Sequence, residues 1–127
     1  MEKTTIAALF CVFALTGCAR TEPVLNISEP ISGHLSADEV RIAILQAGIE
    51  REWVMTPAAP GIINGHLSQR EHRVDIRISY SPTGYSINYV DSRNLKAKDG
   101  LIHRSYNRWI HNLDHDIQLK LATKRIE

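Results

Sequence analysis

The sequence predicts an α+β fold, a two-layer sandwich in which a four-stranded antiparallel meander is covered on one face by two helices, in the order α-β-β-β-β-α. Three observations carry that expectation. A helix-capping signature at Ser36 introduces apolar residues at helical spacing; the apolar period switches from 3.6 to 2 between Trp53 and Tyr89; and from Ile102 the helical period returns as a long stripe. Composition agrees: 127 residues with 43% apolar and 23% charged side chains describe one small ordinary domain and exclude disordered, collagenous and multi-domain organisation. Basic and acidic residues nearly balance, 15 against 14, so no basic excess points to nucleic acid as a partner.

An address precedes the domain. After Met1-Glu2-Lys3, the apolar run Ile6–Thr16 (IAALFCVFALT) is shorter than the ~20 residues that cross a ~30 Å hydrocarbon core. It reads as the h-region of a signal peptide over residues 1–17. Leu15-Thr16-Gly17-Cys18 resembles the lipobox of bacterial lipoproteins at all four positions. That resemblance implies cleavage before Cys18, a diacylglyceryl group on its sulfur and an acyl group on its new amine, so that the lipid is the protein's partner in the membrane. Buried acyl chains anchor at ~0.8 kcal/mol per methylene. Ala19 stands where an aspartate retains such lipoproteins in the inner membrane, so the resemblance further implies the periplasmic face of the outer membrane. The competing reading is a plain secretory signal with a chance cysteine. Cys11 leaves with the signal, so no disulfide is available to the mature chain and packing alone must hold it.

From Cys18 to Leu35 the chain carries Pro23, Pro30 and Gly33 with no sustained period, and reads as the lipidated N-terminus and a flexible tether. Such a tether holds a domain ~20–25 Å from the membrane. The single domain is then residues 36–127. Ser36-Ala37-Asp38-Glu39 fits a capping box, with a helix from Ala37 to about Gly48 or Arg51. Val40, Ala43, Ile44 and Ala47 form one face and Ile42, Leu45 and Ile49 a second, so this helix is either covered on two sides or offers the second face to a partner chain. Trp53–Thr56, ended by Pro57 and Pro60, and Gly61–Leu67 are short strands. Arg73–Tyr80 alternates cleanly, with Val74, Ile76, Ile78 and Tyr80 on one face. Ser81-Pro82-Thr83-Gly84 is a hairpin turn in which glycine supplies a positive φ, and Tyr85, Ile87 and Tyr89 continue the apolar face. The second helix runs from Ile102 to about Ala122 with Tyr106, Ile110, Leu113, Ile117 and Leu121 in its stripe, leaving the outer sheet face polar and open.

From Gly61 through Ile117, and above all in Ile102-His103-Arg104-Ser105-Tyr106-Asn107-Arg108-Trp109-Ile110, the chain resembles small bacterial lipoproteins with an I-H-x-x-Y-N-x-W-I pattern. The resemblance implies a fold and an anchor and carries no catalytic residue over.

Candidate chemistry is sparse. His111 and His115 share a helix face at a spacing metal sites use, but zinc needs further ligands, the mature chain has no second cysteine, and Arg104 and Arg108 lie within about 60° of the pair at 100° per residue, where they repel a divalent cation. No metal or other cofactor is expected. No G-x-S-x-G nucleophile elbow occurs; Gly84-Tyr85-Ser86 is a hairpin exit, and Gly61 and Gly65 lie in a strand rather than a phosphate-binding loop. Arg104, Arg108, His111 and His115 instead form a cationic strip opposite the apolar stripe. It is either solvated surface, with Asp114 and Asp116 as counter-charges, or a contact for an anionic envelope component or acidic protein. Tyr106 and Trp109 read as core, and Asn107 as a buried amide tying the helix to a loop such as Asp91–Asn94. The expected function is a lipid-anchored envelope protein with a small non-catalytic binding or assembly domain. The alternative is a histidine-dependent metal-binding protein or small envelope enzyme.

Overall fold

A computed structural model describes residues 20–126; the signal segment, the lipobox with Cys18, and Ala19 lie outside the described residues. The first correction falls where the tether was expected. Thr21–Pro23 is a strand, β1, and Ile27–Pro30 is a second, β2. Ile31 and Leu35 are buried, and Val24, Leu25 and Ile27 pack against the core. Residues 21–35 are therefore part of the folded domain.

β2 is the edge of an antiparallel sheet in the order β2-β6-β5-β4-β3, with β3 Val54–Ala59, β4 Ile62–Gln69, β5 His72–Ser81 and β6 Gly84–Arg93. The sheet has five strands, not four. β1 pairs antiparallel with a short strand late in the chain, β7 (Leu101–His103), to make a separate two-stranded sheet. Prolines sit where strands tolerate them: Pro30 ends the β2 edge, and Pro57 lies in the opposite edge strand β3, next to a register shift before Ala59. β3 thus continues past the proline expected to end it.

Helix α1 (Ala37–Glu50) begins at the expected capping box. Ser36 Oγ accepts from the Glu39 N–H at 3.0 Å, and Glu39 Oε1 accepts from the Ser36 N–H at 2.9 Å. Val40, Ala43, Ile44 and Ala47 are buried, Ile42 and Leu45 half-buried, and Ile49 exposed. The helix closes in a Schellman arrangement: Trp53 N–H donates to Gly48 O and Glu52 N–H to Ile49 O. Glu52, not glycine, takes the left-handed position at φ 68°, a conformation costing roughly 1–2 kcal/mol. Gly48 makes room for a neighbour instead: a Cβ there would displace the Met55 side chain.

The inner sheet face carries Ile63, Leu67, Val74, Ile76, Ile78 and Ile87 as the alternation predicts. Its hairpin differs in one detail. Gly84 is not among the positive-φ glycines; a Cβ there would lie 3.1 Å from Glu29 O of β2, so glycine is needed for the close approach of the edge strand. Helix α2 spans Arg104–Ile126, and Ile102, expected inside it, belongs to β7. Tyr106, Ile110, Leu113, Ile117 and Leu121 are buried as a continuous stripe, and α2 packs along α1. Both helices lie on one face of the sheet, and the other face presents polar and charged side chains to solvent.

Candidate functional site

One end of the molecule gathers most of the chemistry. There the β4–β5 turn, the Asn94–Gly100 loop, the C-terminus of α1 and the first turns of α2 meet. His72 Nδ1 donates to Asn94 O at 2.7 Å, and Asn94 Nδ2 donates to Glu71 O at 2.7 Å, which ties the loop to the hairpin. The His72 ring stacks on His103 with centroids 6.5 Å apart and tilts against Trp109 at 6.2 Å. His103 Nδ1 accepts from the Ser105 N–H at 3.1 Å. Burial lowers the His103 pKa from its ordinary value, and His72, Lys96, Arg104 and Arg20 push it the same way. Four cationic or protonatable groups therefore converge on one imidazole.

Beside this platform a cleft of about 400 Å³ opens between α1, β4 and α2. Trp53, Leu67 and Trp109 give it apolar walls, and Glu52, Gln69, Arg108 and Asn112 reach its rim. Arg51 and Glu50, also at the cleft, are held across the helix pair: Arg51 Nε to Asp116 Oδ2 at 2.6 Å, and Lys120 Nζ to Glu50 Oε2 at 2.7 Å.

The four strip residues are placed as follows. Arg104, Arg108, His111 and His115 occupy the outward side of α2, and all four are exposed. Arg108 alone enters the cleft, with a 3.5 Å contact from Nη2 to Ser105 Oγ. The two aspartates expected to neutralise the strip are engaged elsewhere: Asp116 with Arg51, and Asp114 accepting from the Tyr85 hydroxyl at 2.5 Å. Glu29 of β2 joins that second contact. A hydrogen bond with Asp114, then burial and the Asp114 charge, raise the Glu29 carboxyl above its usual range, with Gln118 opposing. No group of three or more His, Cys, Asp and Glu side chains fit to hold a metal occurs among the described residues. A histidine–carboxylate pair does exist on the open sheet face, His66 Nδ1 donating to Asp75 Oδ1 at 2.7 Å.

Asn107 is buried as expected, 8% exposed, but its partner differs. Its Oδ1 accepts from the Leu25 N–H at 3.1 Å, while Nδ2 donates to Pro23 O at 2.9 Å and Glu22 Oε1 at 3.0 Å. The amide clamps the N-terminal segment, not Asp91–Asn94, because β6 runs on through Arg93 and β1 lies against the start of α2. Sequence reasoning also missed the His72–His103–Trp109 group, since only the pairing of distant segments unites it. No protein-family model matches the chain, and comparison with curated proteins finds no match.

Proposed function

We infer that the protein is a lipoprotein of the bacterial cell envelope, held by a lipid on Cys18 at the periplasmic face of the outer membrane, with a non-catalytic binding or assembly domain. The observation that carries this reading is the unbroken lipobox Leu15-Thr16-Gly17-Cys18 behind a short apolar run, ending just ahead of strand β1 at Thr21. Binding rather than turnover is supported by the cleft. Two of its charged groups are engaged in ion pairs across the helices, which leaves aromatic walls with Arg108 and Glu52 at the rim, and the exposed strip of Arg104, Arg108, His111 and His115 beside it suits an anionic envelope component or acidic protein surface. The test is detergent-phase partition of the native protein beside Cys18→Ser. The native protein enters the detergent phase and Cys18→Ser does not; equal partition and identical processing of the two would contradict the anchor.

A further inference from the structure

The short stretch between the anchor and the fold gives the docked orientation of the domain. This inference rests on lipidation of Cys18. Only Ala19 and Arg20 separate that cysteine from β1, and three residue steps span at most about 11 Å when fully extended. A domain on so short a leash cannot hover at tether distance; the surface around Arg20 must lie at the headgroups. That surface is net cationic, with Arg20, Arg70, Lys96, Lys98 and Arg104 against Glu22, Glu71 and Asp99. Arg20 O accepts from the Arg104 N–H at 3.1 Å, which fixes the chain's point of exit beside the start of α2, and Lys96 and Arg104 surround His103 there with Arg20 itself. Arg73 and Arg93 are paired in register where β5 and β6 reach the same end. None of Arg20, Arg73, Arg93, Lys96 and Arg104 has a carboxylate within ion-pair distance among the described residues, whereas the observed ion pairs lie elsewhere in the molecule. Leu101, 41% exposed and paired with Pro23, adds an apolar contact at the same rim.

We propose that this end of the domain, formed by Arg20, the Asn94–Gly100 loop and the first turn of α2, rests on the anionic phospholipid headgroups of the membrane holding the Cys18 lipid. The sheet then stands away from the bilayer. The ten residues of β5 span about 30 Å, which sets the β5–β6 turn at Pro82-Thr83 outermost and leaves the open sheet face accessible from the side. Basic side chains at such a surface are attracted to anionic lipid and released by salt.

The test uses the full-length lipidated protein in vesicles carrying a headgroup quencher, with a fluorophore on Gln69→Cys at the anchored end or on Thr83→Cys at the far turn. With phosphatidylglycerol in the vesicles, the label at 69 is quenched several-fold more than the label at 83. High salt, or the triple variant Arg20→Glu, Lys96→Glu, Arg104→Glu, reduces that difference by more than half; the salt arm needs no substitution and so stands even if the variant folds poorly. Equal quenching at both positions overturns the docked orientation while leaving the anchor intact, and a difference as large on purely zwitterionic vesicles overturns the contact with anionic headgroups, leaving the short leash alone to orient the domain. Failure to float with vesicles, together with an unmodified Cys18 by mass spectrometry, overturns the anchor and the orientation together.

Discussion

Asn107 shows how much structure one side chain carries here. Its amide satisfies a backbone donor and a backbone acceptor of the Pro23–Leu25 segment, so removing it leaves two part-buried backbone groups without this partner rather than merely deleting a contact. Asn107→Ala should cost roughly 1–2 kcal/mol in chemical denaturation, the lower part of what unsatisfied partners forfeit, while exposed Asn88→Ala should stay within about 0.5 kcal/mol. Equal effects would refute the clamp. Tyr85 makes a second prediction. Burial first, then its hydrogen bond to Asp114 and the nearby carboxylates, raise its pKa well above the ordinary 10. The folded state thus keeps a proton that the unfolded chain loses, so this stabilisation is complete below pH 10 and is lost as pH rises beyond it. Tyr85→Phe should cost about 1.5 kcal/mol at pH 7 and show a shallower alkaline loss between pH 9 and 11. Parallel pH profiles for the two proteins would contradict that account. Residue-level roles were partly legible beforehand: the burial of Asn107 and Tyr106 follows from the α2 stripe, but their partners lie more than 80 positions away and leave no local trace.

At the scale of elements, periodic segments could be read from sequence and unperiodic ones could not. The capping box places the start of α1 at Ala37, and the alternation of Val74, Ile76 and Ile78 puts β5 on its correct face. β1 and β2 escaped because they are three and four residues long, contain prolines, and exist only through pairing with β7 and β6. Ile102 was assigned to the helix for the same reason: its apolar side chain suits the stripe, but its backbone is claimed by β1. Deleting residues 21–30 discriminates a tether from strands. The fold predicts a drop of several kcal/mol in stability or loss of folding, since two sheet partners and the Asn107 clamp go together; a flexible tether predicts no change in melting temperature. The cationic strip of α2 calls for the opposite kind of measurement. Arg104, Arg108 and His111 follow one another at i+4 and i+3, and the aspartates nearby in sequence point to Tyr85 and Arg51. Arg108→Glu should therefore raise stability by about 0.3–1 kcal/mol, through relief of like-charge crowding and a better match to the helix dipole. It should also weaken retention on anionic envelope material. Loss of stability with unchanged retention would mean that the strip is ordinary surface.

For the whole molecule, the α+β class with two helices on one face of an antiparallel sheet followed from the order of the periods. The number of strands did not, because the extra strand lies in a stretch without periodicity. The consequence reaches beyond topology. A domain beginning at Thr21 brings its cationic end to the membrane if Cys18 bears the lipid, whereas a domain beginning at Ser36 would not. Address and orientation therefore both depend on the lipid at Cys18. Intact-mass analysis of the protein extracted from membranes tests it most directly. The expected product is a mature chain starting at Cys18 whose excess mass corresponds to a diacylglyceryl group and an amide-linked acyl chain. A chain that keeps residues 1–17, or one that starts elsewhere with an unmodified Cys18, would contradict it.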